Sequence, residues 1–335
     1  MGASVGATSD QEWGHVPVMV EEVLLYLAPR SGGLYIDATV GLGGHTQAIL
    51  SRSAPDGRVL AIDADAQALA IAERRLSDDG GRVTFVQGRH RDLERIAVAQ
   101  GFSGCQGILL DLGVSSLQLD DAERGFSFRE AGPLDMRMDS EAPVSAEEVV
   151  NHWPEQELAR VIAAYGEERY ARRVAHRIVQ ARPIRDTAHL AAVVSGAVRS
   201  SGGIHPATRT FQAIRIAVND ELGSLEAVMP QALALLAPGG VMAVIAFHSL
   251  EDRIVKQFMV RESRGCLCPP RIPVCECGHR VQLDRLTRRP VQASTGEIGR
   301  NPRSRSALLR AARKLDEEQM VAAEREYQTR AHHAR

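Results

Sequence analysis

The feature that most constrains this chain is an interruption in an otherwise regular pattern. From Leu34 to Asp111, short β-branched or aliphatic runs alternate with helical periodicity, as in a parallel sheet wound with helices. The predicted strands are Leu34–Ala38, Val59–Ile62, Val83–Val86 and Gly107–Leu110. Between the second and third, Leu69, Ala72 and Leu76 recur at helical spacing behind Asp65, a suitable N-cap. A fifth strand, Val241–Phe247, follows the turn signal Pro238-Gly239-Gly240, and a helix runs from Ser249 to Arg261. About 130 residues thus separate Asp111 from Val241, where one helix and two short loops normally suffice. Close to 100 of them must be an insertion. Its periodicity is helical over Ala146–Val150, Pro154–Ala164, Glu167–Ala181, Thr187–Arg199 and Pro206–Glu221. The expected architecture is an α/β core with a small helical domain inserted between its fourth and fifth strands.

Composition removes several function classes. With 335 residues, 44% of them hydrophobic, the chain has ample material for a core, and five Cys cannot make a disulfide-stapled mini-protein. A net charge of −2 excludes a uniformly basic nucleic-acid coat. Of the 40 basic residues only Lys256 and Lys314 are Lys; the Arg preference suits phosphate recognition, and equally reflects an Ala/Arg-rich genome. Met1 to Asp10 lacks the basic and apolar regions of a signal peptide, and no apolar run reaches the ~18 residues of a membrane span. A cytoplasmic protein is expected, whose Cys are free thiols or metal ligands.

The first strand runs into Asp37-Ala-Thr-Val-Gly41-Leu-Gly43-Gly44-His45, a glycine-rich turn at the carboxyl end of the sheet, where open α/β folds bind ligands. Asp63 closes the second strand, 20 residues after Gly43, where a carboxylate can take both hydroxyls of a ribose. A dinucleotide site would call for Gly-x-Gly-x-x-Gly, but Thr46 stands at the third position. That favours S-adenosylmethionine, a nucleoside with an amino-acid tail and no phosphate. The plainer reading is a tight turn with Asp63 capping the next helix. Asp111 emerges from the fourth strand in Leu110-Asp-Leu-Gly-Val-Ser-Ser116, either as a strand-end cap or as the catalytic group of the crevice. An exocyclic amine on a base is a poor nucleophile, and an acceptor for its N–H helps it pyramidalise and lose its proton. His248, Glu251 and Asp252, after strand five, either cap the following helix or join the substrate pocket.

Several further blocks point one way: His15-Val-Pro-Val-Met19, Asp120-Asp-Ala-Glu-Arg-Gly-Phe-Ser-Phe128, Gly132-Pro-Leu-Asp-Met-Arg-Met-Asp139, His205-Pro-Ala-Thr-Arg-Thr-Phe-Gln212, Phe247-His-Ser-Leu-Glu-Asp-Arg253 and Asn301-Pro-Arg-Ser-Arg-Ser306. Together with the two turns above, they resemble the bacterial 16S ribosomal RNA cytosine-N4 methyltransferase family over roughly residues 13–315. The resemblance implies a class I (Rossmann-like) methyltransferase core with an inserted substrate-recognition domain. It implies methyl transfer from S-adenosylmethionine to the exocyclic N4 of a cytosine in the decoding centre of 16S rRNA, within the small ribosomal subunit. Cofactor contacts carried across fall on Gly43, Gly44, His45, Asp63, Asp111 and Gln118. A further contact, an aromatic Phe in the family, falls on His90, whose imidazole can still stack. Related amino-methyltransferases end strand four in an Asp/Asn/Ser-Pro-Pro-aromatic turn; Asp111-Leu-Gly-Val114 replaces it, so Asp111 and the backbone carbonyls of the turn compete as acceptor of the amine proton. The implied division is a core over 13–118 and 216–315, a helical domain over 119–215 and a charged tail over 316–335, in a monomer or a homodimer.

Two surfaces and one cluster remain. Arg169, Arg172, Arg173, His176 and Arg177 share a helix face opposite Ala171, Val174 and Ile178, either a solvated face or a phosphate contact. From Arg261 to Lys314, 13 basic residues stand against four acidic ones, a net of +9, which leaves −11 for the remainder. That asymmetry is the footprint of an RNA binder, with Arg288, Arg289, Arg300, Arg303 and Arg305 as candidate contacts. A target base in folded RNA must be splayed out before its amine can react, so arginines that grip the backbone belong to the same reading. Cys266-x-Cys268 and Cys275-x-Cys277 supply four thiols, enough for a tetrahedral structural zinc, although the usual knuckle is Cys-x-x-Cys; unliganded surface thiols are the alternative. Other functions consistent with parts of the sequence are a methyltransferase for another substrate, a non-catalytic RNA-binding assembly factor and an NAD-dependent oxidoreductase. The Gly41/Gly43/Asp63/Asp111 set argues against the second and Thr46 against the third.

Overall fold

The structure is a computed structural model that describes residues 16–198, 203–269, 276–323 and 325. One sheet contains β1 (Leu34–Asp37), β2 (Arg58–Asp63), β3 (Val83–Gln87), β4 (Cys105–Asp111), β5 (Leu236–Ala246), β6 (Leu283–Arg285), β7 (Val291–Gln292) and β8 (Leu308–Lys314). Its order is β3-β2-β1-β4-β5-β8-β6, with β7 also paired to β8. Strands β1 to β5 are mutually parallel, and β8 is antiparallel to β5, β6 and β7. The winding direction reverses between β1 and β4, the switch point at which such sheets open a crevice.

The helices are α1 (Val20–Leu27), α2 (Gly44–Arg52), α3 (Ala66–Arg75), α4 (Leu93–Ala99), α5 (Ser116–Asp120), α6 (Ala146–His152), α7 (Glu155–Gly166), α8 (Ala171–Gln180), α9 (Thr187–Ala197), α10 (Thr208–Asn219), α11 (Glu221–Leu235), α12 (Ser249–Glu262) and α13 (Thr295–Arg300). Successive strand residues point to opposite faces, so the apolar runs feed two layers. Ile36, Leu60, Ile62, Ile108, Leu110 and Val244 pack with side chains of α4, α11 and α12. Tyr35, Val59, Leu109, Ala243 and Ile245 pack with Val23, Leu24 and Leu27 of α1 and Ile49 and Leu50 of α2. This is the α/β, Rossmann-like core expected of a class I methyltransferase.

The chain divides into two compact units, one spanning Val114–Gly223 and the other made of the described residues up to Gly113 and from Ser224 on. The smaller unit is helical and has its own core, including Val149, Leu158, Ile162, Val174, Ile178, Leu190 and Phe211. Its bounds fall at 114 and 223, not at 119 and 215. The Asp135–Asp139 stretch is clamped within it: Arg137 donates to both oxygens of Asp135 at 2.9 and 2.8 Å, and Asn219 accepts from Met138 N and donates to Met136 O, both at 2.8 Å.

Local differences from the sequence expectations have physical causes. Helix α8 begins at Ala171, not Glu167, because Glu167 adopts φ 48° and caps the C-terminus of α7. Strand β5 begins at Leu236 and passes through Gly239 at φ 78° before a register shift against β4. Helix α11 contains Pro230, and β8 contains no β-branched residue, so neither carries a strong local signal. Pairing with β5 and burial of Leu309, Ala311 and Ala312 make β8 a strand. Among the described residues, no helix is long and apolar enough to cross a membrane.

Candidate active site

The carboxyl ends of β1, β2 and β4 each present an aspartate: Asp37, Asp63 and Asp111. Asp37 is fully buried and accepts from Thr46 Oγ1 at 2.7 Å. The residue that replaces the third glycine of a dinucleotide fingerprint therefore has its own task, fixing this carboxylate. Asp63 accepts from the backbone N–H of Gly41 at 2.8 Å through Oδ2 and from that of Asp65 at 2.9 Å through Oδ1. Each oxygen keeps a further lone pair, so Asp63 is held rigidly and can still accept. The capping of α3 falls to Asp65, which accepts from Gln67 N and Ala68 N.

Asp111 is held through its backbone, whose N–H donates to Thr39 Oγ1 at 2.7 Å. Its Oδ2 lies 3.6 Å from His45 Nδ1, whereas its buried Oδ1 has no hydrogen-bond partner among the described residues. His45 Nε2 donates to Val18 O at 2.8 Å, which turns Nδ1 toward Asp111.

Burial dominates the electrostatics of this edge. It raises Asp37 and Asp63 to about 6 and Asp111 to about 7. Asp37 also raises the other two, and Glu251 raises Asp111, while His45 lowers it. Negative charge here lacks compensation, which suits a ligand carrying positive charge and opposes a pyrophosphate. Burial also lowers His90 to about 4, with Arg91 adding to the shift, so its ring is neutral; its buried Nε2 has no partner among the described residues.

The glycines serve the turn. Gly43 takes φ 83° as N-cap of α2, and a Cβ on Gly44 would lie 2.7 Å from Pro17. The Val16–Met19 strip is tied down from the far end of the chain, by Glu297 Oε1 accepting from Met19 N at 2.7 Å and Asn301 Nδ2 donating to Val16 O at 3.0 Å. His15 lies outside the described residues. A cleft of about 510 Å³ between α1, α2 and α13 involves Gly44, Arg75 and Arg300 but none of the three carboxylates.

After β5, His248 caps α12 by accepting from Glu251 N at 3.4 Å, and Glu251 accepts from Phe247 N at 2.8 Å. Asp252 accepts from Arg310 Nε at 2.6 Å and Nη2 at 3.0 Å. The capping reading accounts for His248 and Glu251. Gln118 lies in the helical unit, where it closes a capping box with Ser115 at the start of α5. Arg288, Arg289, Arg300, Arg303 and Arg305 are exposed. Leu308 pairs with Ala246, so the turn carrying Arg303 and Arg305 enters β8 beside the carboxyl end of β5. In the helical unit, Arg172, Arg173, His176 and Arg177 form the exposed face of α8. Cys266, Cys268 and Cys277 cluster, and Cys275 lies outside the described residues. Sequence reasoning missed Thr39, Thr46 and Asn301 as positioning residues; their spacing carries no periodic signal, and only their hydrogen bonds reveal the roles.

The chain matches the MraW methylase family over residues 12–315. It is 51% identical over 309 residues to the ribosomal RNA small subunit methyltransferase H of Heliobacterium modesticaldum, covering 90% of this chain and 98% of that protein. Proteins of the same name from Symbiobacterium thermophilum and Thermomicrobium roseum are 52% and 55% identical, covering 90% of this chain and 96% and 94% of theirs. With likeness of that depth along nine-tenths of its length, the chain belongs to the MraW methylase family.

Proposed function

We propose that the protein transfers a methyl group from S-adenosylmethionine to the exocyclic N4 of a cytosine in the decoding centre of 16S rRNA, acting in the cytoplasm on the small ribosomal subunit. The observation that carries the cofactor assignment is the acidic edge. Three aspartates raised by burial, one with an orphaned Oδ1, fit a ligand with sulfonium and ammonium charges and no phosphate. The names of the half-identical relatives support the RNA substrate, and the exposed arginines support a polyanion.

S-adenosylmethionine, when bound, supplies an electrophilic methyl on sulfur. The chain's own residues do the rest. Asp63, fixed by two backbone N–H groups, accepts the ribose hydroxyls, and the neutral ring of His90 stacks on the adenine. Gly43 and Gly44 let the turn approach closely, and His45 orients Asp111 through Oδ2. The Asp111 carboxylate accepts the N–H of the attacking amine and takes the proton it releases. Arg288, Arg289, Arg300, Arg303 and Arg305 grip phosphates while the base is splayed out. No step requires a metal, so a zinc at the cysteine cluster would serve the fold alone.

The decisive experiment incubates the protein with labelled S-adenosylmethionine and either small subunits lacking the modification or free RNA. Label at cytosine N4, in subunits and much less in free RNA, is expected. Absence of label from both substrates overturns the proposal.

A further inference from the structure

The chain leaves α12 at Glu262 and returns to the sheet at Gln282, and the base of this excursion is closed by hydrogen bonds. Gln282 N donates to Glu262 O at 2.8 Å, Gln282 Nε2 to Glu262 Oε2 at 3.0 Å, and His279 Nε2 to Arg261 O at 3.0 Å. The described residues of the excursion contain no helix or strand, Val281 is their one buried side chain, and Leu267 is 42% exposed. With one buried side chain among its described residues, the excursion is a place where a cross-link would add order.

The cross-link is available in the thiols. The Sγ atoms of Cys266, Cys268 and Cys277 all lie within 4.8 Å of one another, and those of Cys266 and Cys277 are 3.8 Å apart. A disulfide needs about 2.05 Å. In a tetrahedral site with zinc–sulfur bonds of about 2.3 Å, two sulfurs are about 3.8 Å apart, the tetrahedron's edge. Two backbone amides aim at the same sulfurs, Leu267 N at Cys277 and Cys268 N at Cys266, both at 3.3 Å. Such donors stabilise the negative charge of metal-bound thiolates. A set made wholly of soft sulfur donors selects zinc over hard cations.

We propose that Cys266, Cys268 and Cys277 ligate a structural zinc ion that fixes this excursion. The site rests on these three thiols. Zinc binding displaces one proton from each ligating thiol into solvent and changes no oxidation state. The ion holds the turn from which the chain continues into β6 and the arginine-bearing stretch, and takes no part in methyl transfer.

The test begins with untagged protein purified under reducing conditions and analysed for metal. About one zinc per chain is expected in the wild type and less than about 0.1 in Cys266→Ser/Cys277→Ser, with S-adenosylmethionine binding retained in both. Because the double variant could misfold, wild-type protein stripped with a chelator is also titrated with Co²⁺. Thiolate-to-cobalt charge-transfer absorption and the intense visible bands of tetrahedral cobalt are expected, and zinc should bleach both. Wild type that holds less than about 0.1 zinc per chain and gives no such bands overturns the site, as does a mass 2 Da low, which would reveal a disulfide. Loss of methyl transfer with zinc retained would count against the proposed function and leave the metal site standing.

Discussion

Two parts of the sheet-bearing unit handle charge in opposite ways. At the carboxyl ends of β1, β2 and β4, a few acidic groups are buried, individually positioned and shifted in pKa. In the stretch from Arg288 to Arg305, five arginines are exposed. The first arrangement is a pocket, in which each atom has one task and low dielectric magnifies every change. The second is a surface, in which charge acts collectively and salt screens it. A net charge of −2 conceals both, because the acidic body and the basic C-terminal stretch nearly cancel.

The contrast predicts single-residue sensitivity at the edge and collective sensitivity on the surface. The largest effect is expected from Asp111→Asn, which keeps the shape and removes the base: kcat should fall about 10²–10⁴-fold with subunit binding unchanged. Equal loss of binding and turnover would dissolve the distinction between the two regions. Asp63→Ala should weaken S-adenosylmethionine about 10–100-fold by calorimetry, the cost of charged hydrogen bonds, without altering the salt dependence of RNA binding.

The third test uses pH. With Asp111 raised to about 7 and required as an acceptor, log(kcat/KM) should fall with unit slope below about pH 7. Asp111 binds its proton more tightly folded than unfolded. Its contribution to stability is full below the unfolded value of 3.8 and is lost as pH rises through about 7. Asp111→Asn cannot ionise, so its Tm should gain on the wild type between about pH 4 and pH 7 and hold that gain above it. A constant Tm difference would mean that Asp111 is not buried as described.

On the surface, Arg300→Glu/Arg303→Glu/Arg305→Glu should weaken subunit binding about tenfold at physiological salt, and each lost phosphate contact should reduce the log–log salt slope by about 0.7–0.9. Unchanged slope would remove these arginines from the interface. The smallest effect is expected from His90→Phe, which restores the family's ring at a position where the imidazole is already neutral. Cofactor affinity should change by less than about threefold.

Much of this was legible before any coordinates. Alternating apolar runs located β1 to β5 because a strand buried on both faces must be apolar throughout. The gap after Asp111 required an insertion because a parallel crossover needs so few residues. Asp63 and Asp111 could be named because they end apolar strands. Strand β8 could not be, since Leu308–Lys314 becomes a strand by pairing with a segment more than 60 residues earlier. Nor could the part played by Thr46, which reads as a missing glycine until its hydroxyl is seen on Asp37.

The sequence by itself thus determined the winding of the core, the presence of a helical insertion and the identity of the acids at the strand ends, because period and spacing along the chain encode which faces are buried. The tertiary structure alone decided which oxygen of Asp111 faces His45 and which is buried without a partner among the described residues, how strongly burial shifts each carboxyl, and that thiols 11 residues apart converge to 3.8 Å. Those properties depend on distance and desolvation in space, which no pattern along the chain contains.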